Sequence, residues 1–445
     1  MSRSAGTTTS AARGIDEMRA VAQGTTSVVA AAAEALATIE RLDAEIGAFR
    51  IVEPELVAAA AAAADADPSL PLRGLIVGVK DVIDTADLPT GYGSPLFADH
   101  QPVADSDLVA ACRRAGAVVA GKTESTEFAM FTPTRTRNPI DPSRTPGGSS
   151  SGSAAAVAAG MVPVAFGTQT AGSVIRPAAY CGVYGYKPVK GWVSTAGIWK
   201  LTDSFDTVGI FARNVADLTM TYYGVRGDPQ PAERMAVLRP DGVRPRIAVL
   251  DTEAWGECEP EVDAAIEWGA EELVAHGCHV EPLDLPAEWA DLPAVHATIM
   301  AVEVAHNLHA RLGDDVERIS PSAREIVARG DACSADEHDA ARTATAAAVE
   351  RLSALEADFD VILAPSALGV APTGLEFTGD PVMCRPWTLL CAPATNLPYY
   401  RRADGLPVGV QAVGVRADDE SFLTSLAWLE AALGDSTTNP PFDEE

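Results

Sequence analysis

Between Pro146 and Gly191 the chain reads PGGSSSGSAAAVAAGMVPVAFGTQTAGSVIRPAAYCGVYGYKPVKG, and this stretch constrains the fold more than any other. Two small-residue turns, Gly147–Gly152 and Gly167–Gly172, each hand over to a helix-forming run. Each also sets serine at the hand-over: Ser149, Ser150 and Ser151 in the first, Ser173 in the second. Glycine lets a backbone take φ > 0 and come close to a ligand. The unpaired N–H groups that open the next helix then face whatever fills the turn. A serine beside such donors has what acyl transfer requires, a nucleophile and a place for an oxyanion. The stretch therefore reads as the active site of an enzyme.

The usual partner of a nucleophilic serine is histidine, yet none lies between His100 and His276. Upstream, Leu75–Val79 is an apolar, β-branched run bounded by glycine, which predicts a buried strand with Lys80 at its end. Burial lowers a lysine pKa toward a value useful for a base, so Lys80, Ser149 and Ser173 could form a Ser–Ser–Lys relay. The competing role for Lys80 is a strand-end cation paired with Asp81 or Asp84.

The motifs GVKD (Gly78–Asp81), GKTESTEFAM (Gly121–Met130), RNP (Arg137–Pro139), TPGGSSSGSAAAVAAG (Thr145–Gly160) and GTQTAGSVIRPAAYCGVYGYKP (Gly167–Pro188) resemble the amidase signature family. Later segments, PWTLLCAPATNLP (Pro386–Pro398) and DGLPVGVQAVG (Asp404–Gly414), resemble its closing segments. The resemblance implies Lys80 as catalytic lysine, Ser149 as bridging serine on a cis peptide bond, and Ser173 as acyl-forming nucleophile. It implies an oxyanion hole from the backbone N–H groups of Thr170, Ala171, Gly172 and Ser173, with no cofactor and no metal. Three departures stand out: Gln169 where many members have Asp, Ala171 where many have Gly, and Ser151 where many have Gly. They resemble the shorter, malonamidase-like amidases of small substrates. Ala171 is acceptable only at negative φ.

The expected fold is α/β: a single large domain with a mixed, mostly parallel β-sheet flanked by helices on both faces. Residues 1–14 and 434–445 read as flexible tails around an amidase domain at 15–433, with a catalytic core near 70–215 and a pocket wall near 285–390. Alanine-rich residues 15–67 predict two or three helices, 106–114 another, and 192–195 a strand-like piece; 227–246 reads as a long exposed connection. Strands are expected at 246–250, 279–283 and 360–365, and helices at 214–222 and 259–276.

Tyr92, Met130, Phe131, Arg385 and Trp387 are candidate substrate-pocket residues, with core packing the competing role for each aromatic. Arg176 is a candidate for binding a carboxylate-bearing substrate, with a structural ion pair as the alternative. Two motifs mislead. GAVVAGKT (Gly116–Thr123) fits a phosphate-binding pattern, but a helix rather than a strand precedes it. GSSSG (Gly148–Gly152) fits a nucleophile elbow around Ser150, but turn chemistry precedes it.

The formal charge of −29 argues against nucleic acid and anionic membranes as partners. The seven scattered cysteines suit a reducing compartment, and the polar N-terminus lacks an apolar signal region, so the expected location is cytoplasmic. A homodimer is an allowed assembly. The expected activity is hydrolysis of C–N bonds other than peptide bonds in small amides, with carbamates (urethanes), anilides or esters as further substrates. The alternatives are a glutamine-hydrolysing amidase subunit of a tRNA-dependent amidotransferase and a GxSxG serine esterase. The short Phe128–Asn138 stretch and short tail speak against the amidotransferase alternative.

Overall fold

The computed structural model describes residues 14–238 and 244–434. Local chemistry sets many of its helix ends. Ser27 caps the helix Val28–Ile46 by accepting from Ala30 N–H, and Gly47, at φ 65°, ends it. Ser106 caps Asp107–Arg114, whose last turn carries Arg113 and Arg114 against the helix dipole. Asn214 caps Val215–Val225, and proline opens Pro54–Asp65, Pro260–Ala275 and Pro321–Ala332. The alanine tract thus forms helices, as its propensity predicts.

Among the described residues eleven strands form one sheet: β1 Phe49–Ile51, β2 Ile76–Lys80, β3 Val118–Thr123, β4 Val164–Gln169, β5 Tyr184–Lys187, β6 Thr207–Ala212, β7 Arg246–Leu250, β8 His279–Leu283, β9 Val361–Pro365, β10 Ala394–Arg401 and β11 Pro407–Gly414. Their order is β1-β3-β2-β4-β6-β5-β10-β11-β9-β7-β8. The sheet is mixed and flanked by helices, as expected, but its balance differs from a mostly parallel one. Parallel pairing is confined to β3-β2-β4 on one flank and β9-β7-β8 on the other. The pairings between those groups, from β4 through β6, β5, β10 and β11 to β9, are antiparallel, as is β1 with β3. Neighbouring strands β10 and β11, with Arg401 ending one and Pro407 opening the other, are too close in sequence for the long crossover parallel pairing needs.

Two other expectations differ. Residues 192–195 form a bend and irregular loop rather than a strand, and the 227–246 connection contains the helix Pro231–Val237. The expected tails lie outside the described residues, apart from Gly14 and Gly434. Gly14 is no tail residue: it opens the helix Gly14–Ala22 and donates its N–H to buried Asp217. Trp387 is packed edge-on against Trp255 and Trp289 at 5.5 and 5.7 Å. Among the described residues no helix is long and apolar enough to cross a membrane.

The parallel β2–β4 pair positions the site. Val79 lies beside Phe166, so both strands end on the same side, with Lys80 closing one and Gln169 the other. Ligands favour this C-terminal edge of parallel strands, where the chain leaves the sheet into loops.

Candidate active site

Lys80 is fully buried, with Nζ 2.7 Å from Ser149 Oγ and 2.8 Å from Thr168 Oγ1. Neither neighbouring aspartate pairs with it. Asp81 is held by Arg50, with Lys122 nearby and the Gly91 N–H donating to it, while Asp84 accepts from the Tyr92 hydroxyl. Burial holds the Lys80 pKa well below the ordinary lysine value, and the charge of Asp206 only partly opposes this. A neutral amine beside a hydroxyl can take its proton. The Gly148–Ser149 peptide is cis. The hydrogen bond joins Lys80 to Ser149, and among the described residues no hydrogen bond joins Ser149 to Ser173.

Ser173 lies in the loop that leaves β4, with Thr170, Ala171 and Gly172 ahead of it. Among the described residues none of these four backbone amides donates to a protein acceptor. That leaves four donors available to an incoming oxygen. Positive φ at non-glycine residues is confined to Tyr92, Phe128, Ala129 and Cys391 among the described residues, so Ala171 meets its condition. Gly172 is required by crowding, since a Cβ there would lie 2.9 Å from Pro381 Cβ and 3.0 Å from Cys384 Cβ. Ser151 donates its hydroxyl to Gly147 O at 2.7 Å and braces the first turn.

Met130, Phe131 and Arg176 line a cavity of about 20 Å³ together with Thr170–Ser173. A second cavity, about 970 Å³, is lined by Thr168, Trp199 and Asp206 among others; Ala129, Thr170 and Leu201 border both. Arg176 makes no ion pair among the described residues. Its Nη2 donates to Gly148 O at 2.7 Å and Thr378 Oγ1 at 3.4 Å, while Nε and Nη1 are buried without partners.

Three candidates lie elsewhere. Tyr92 is buried in an aromatic cluster with Phe97 and Trp199, its hydroxyl on Asp84. Trp387 belongs to the tryptophan cluster described above. Arg385 borders neither cavity, although its charge reaches His296 and Arg176. Aromatic character alone does not separate a pocket wall from a core.

The misleading motifs resolve locally. Lys122 is an interior strand residue that donates to Ile83 O and Thr90 Oγ1, and Gly121 packs against Ile51 O. Ser150 is tied by its hydroxyl to both backbone groups of Thr168, with no histidine partner among the described residues. Sequence reasoning missed Thr168, Asp206 and His296. Asp206 accepts from Thr170 Oγ1 at 2.6 Å, and buried His296 lies 2.8 Å from Thr170 O. Thr168 sits inside the second serine motif; the other two carry no local signal.

A family model described as Amidase matches residues 30–423. A curated relative from Roseiflexus castenholzii, named as a subunit of glutamyl-tRNA(Gln) amidotransferase, is 35% identical, with 87% of this chain and 89% of the relative covered. Among solved structures, peptide amidase from Stenotrophomonas maltophilia superposes with a TM-score of 0.80 at 27% identity, covering 95% of this chain and 97% of that one. A 6-aminohexanoate cyclic dimer hydrolase in complex with substrate gives 0.82 at 25% identity, covering 97% and 98%.

These relatives correct one expectation. The net charge of −29 argues against nucleic acid, but relatives named as subunits of a glutamyl-tRNA(Gln) amidotransferase overturn that exclusion. Whole-chain charge is an average and does not fix which partners an assembly engages. Family model, relatives and fold agree that this chain belongs to the amidase signature family, whose members hydrolyse carbon–nitrogen bonds of amides.

Proposed function

We propose that the chain hydrolyses small amides that carry a carboxylate, through an acyl-enzyme on Ser173. Neutral Lys80 takes the proton of Ser149, which takes that of Ser173 as Ser173 Oγ attacks the amide carbon. The oxyanion meets the amides of Thr170–Ser173, Ser149 returns a proton to the leaving amine, and water reverses the relay.

One observation carries the substrate class. Arg176 is a buried guanidinium beside the nucleophile, with two unpartnered nitrogens and no carboxylate in ion-pair reach among the described residues. Burying a charge unpaired costs several kcal/mol, and a substrate carboxylate would supply the missing partner with bidentate geometry. Arg176 and Ser173 line the same cavity, which supports their acting on one bound substrate.

The curated relatives favour one member of that class, glutamine. They support a glutamine-hydrolysing component of a tRNA-dependent amidotransferase more than a free-standing amidase. All seven cysteines are unpaired, which supports a cytoplasmic setting.

The test is a paired panel on the purified chain: glutamine and other ω-amides of dicarboxylic acids, each against its neutral analogue. Arg176→Gln is expected to lower kcat/KM for the acidic substrates by about 10²-fold, in line with loss of about 2–3 kcal/mol of charge-assisted bonding, and to leave the neutral analogues within about three-fold. Equal losses on both sets would refute the substrate class. Ammonia release from glutamine only after addition of partner proteins would select the amidotransferase reading.

A further inference from the structure

A trans peptide unit carries its C=O and N–H on opposite sides of one plane. Fixing where a carbonyl points therefore fixes where the next residue's N–H points. In the loop ahead of Ser173, three successive carbonyls are each held. Thr170 O accepts from His296 Nε2 at 2.8 Å, Ala171 O from Thr388 Oγ1 at 2.8 Å, and Gly172 O from Arg176 N–H at 3.0 Å. The N–H groups on the opposite sides of those units belong to Ala171, Gly172 and Ser173. They donate to no protein acceptor among the described residues, and all three residues line the cavity in front of the nucleophile.

We propose that His296 and Thr388 are positioning residues of the oxyanion hole, holding two consecutive peptide planes so that the amides of Ala171 and Gly172 face the reacting carbonyl. The proposal rests on the reading of Ser173 as nucleophile. Neither residue touches substrate; each acts through a main-chain carbonyl.

The direction of the Thr388 bond follows from its neighbours. Gln169 Oε1 already accepts from Val174 N–H and Ile175 N–H, so its amide group faces Thr388 and donates to Oγ1 at 3.0 Å. The hydroxyl's one proton must then go to a carbonyl, and Ala171 O at 2.8 Å is nearer than Cys384 O at 3.2 Å. An aspartate at 169 could accept that proton itself and release the Ala171 carbonyl. Glutamine at this position thus sets the polarity of the Gln169–Thr388–Ala171 chain.

His296 is equally constrained. It is fully buried and stacked on Phe205, with ring centroids 4.5 Å apart. A carbonyl can only accept, so its proton sits on Nε2. Burial and the nearby Arg385 push its pKa down to about 3, which keeps the ring neutral. The Thr170 side chain is fixed separately by Asp206.

The test is phosphonylation of Ser173 by a fluorophosphonate, followed by intact mass and peptide mapping; it needs no amide substrate. The Oγ–P bond forms, the P–F bond breaks with loss of fluoride, the serine proton passes toward Lys80, and the phosphoryl oxygen occupies the hole. Thr388→Val and His296→Phe keep shape and remove the donor; Thr388→Ser and His296→Gln keep a donor.

The first pair is expected to label at least about ten-fold more slowly than wild type and the second pair to stay within about three-fold. On any amide the wild type turns over, kcat falls while KM holds. Wild-type labelling rates in folded Thr388→Val or His296→Phe would overturn the proposal. If one of these fails to fold, the other decides. Absence of label on wild-type Ser173 would instead refute the nucleophile reading, and this proposal with it.

Discussion

Replacing Lys80 by methionine tests whether the fold holds this amine neutral, and it does so without any substrate. Lys80 is fully buried, and burial drives its pKa well below 10.5. At any pH between the folded value and 10.5 the unfolded chain binds a proton on this residue that the folded chain does not. The stability of wild type relative to Lys80→Met must then rise with pH, by about 1.4 kcal/mol per unit. The penalty vanishes above 10.5 and is greatest below the folded value.

Methionine leaves Ser149 Oγ and Thr168 Oγ1 without their 2.7 and 2.8 Å partner. That loss does not depend on pH and drops out of the slope. Lys122 and Lys187, both lowered by burial to about 8, titrate in both proteins and cancel in the difference. The assay is urea unfolding of both proteins at about pH 8 and about pH 9, and a difference that grows by about 1.4 kcal/mol in favour of wild type supports the relay's base. A flat difference would mean that Lys80 is charged in the fold, which refutes its role as a proton acceptor.

Two further outcomes are expected. With Lys80 as base and His296 neutral down to about 3, kcat/KM should rise with pH to a plateau along one acid limb, with no added histidine inflection between about pH 5 and 8; a histidine-like step there would contradict the assignment. Gly152→Ala would place a Cβ 2.1 Å from Ala48 O and 2.4 Å from Glu124 N, so a loss of about 3 kcal/mol or more is expected by thermal or urea unfolding, and an unchanged midpoint would show that the contact relaxes freely.

Much of this was legible because the signals are local. The strand ending at Lys80, the helices beginning near Ser106 and Asn214, and the strands Arg246–Leu250 and His279–Leu283 each follow from a few adjacent residues. The turns around Ser149 and Ser173 carry their glycines and hydroxyls in one run. What stayed hidden acts across the chain. His296 meets Thr170 over 126 positions and Thr388 meets Ala171 over 217, and nothing near either residue marks that meeting. Tyr92 and Trp387 offered aromatic rings, which a core accepts as readily as a pocket. Strand direction in the sheet centre depended on which strands became neighbours, and periodicity does not encode that.

The placement of β5 between β6 and β10 has a practical consequence for dissecting this protein. A fragment cut after the motif-bearing first half would keep the serines and the lysine yet bare a row of main-chain donors and acceptors along β5, inviting self-association. It would also lack the helices that carry His296 and Thr388. The two halves are interdependent, so a split version should recover chemistry only on reassembly.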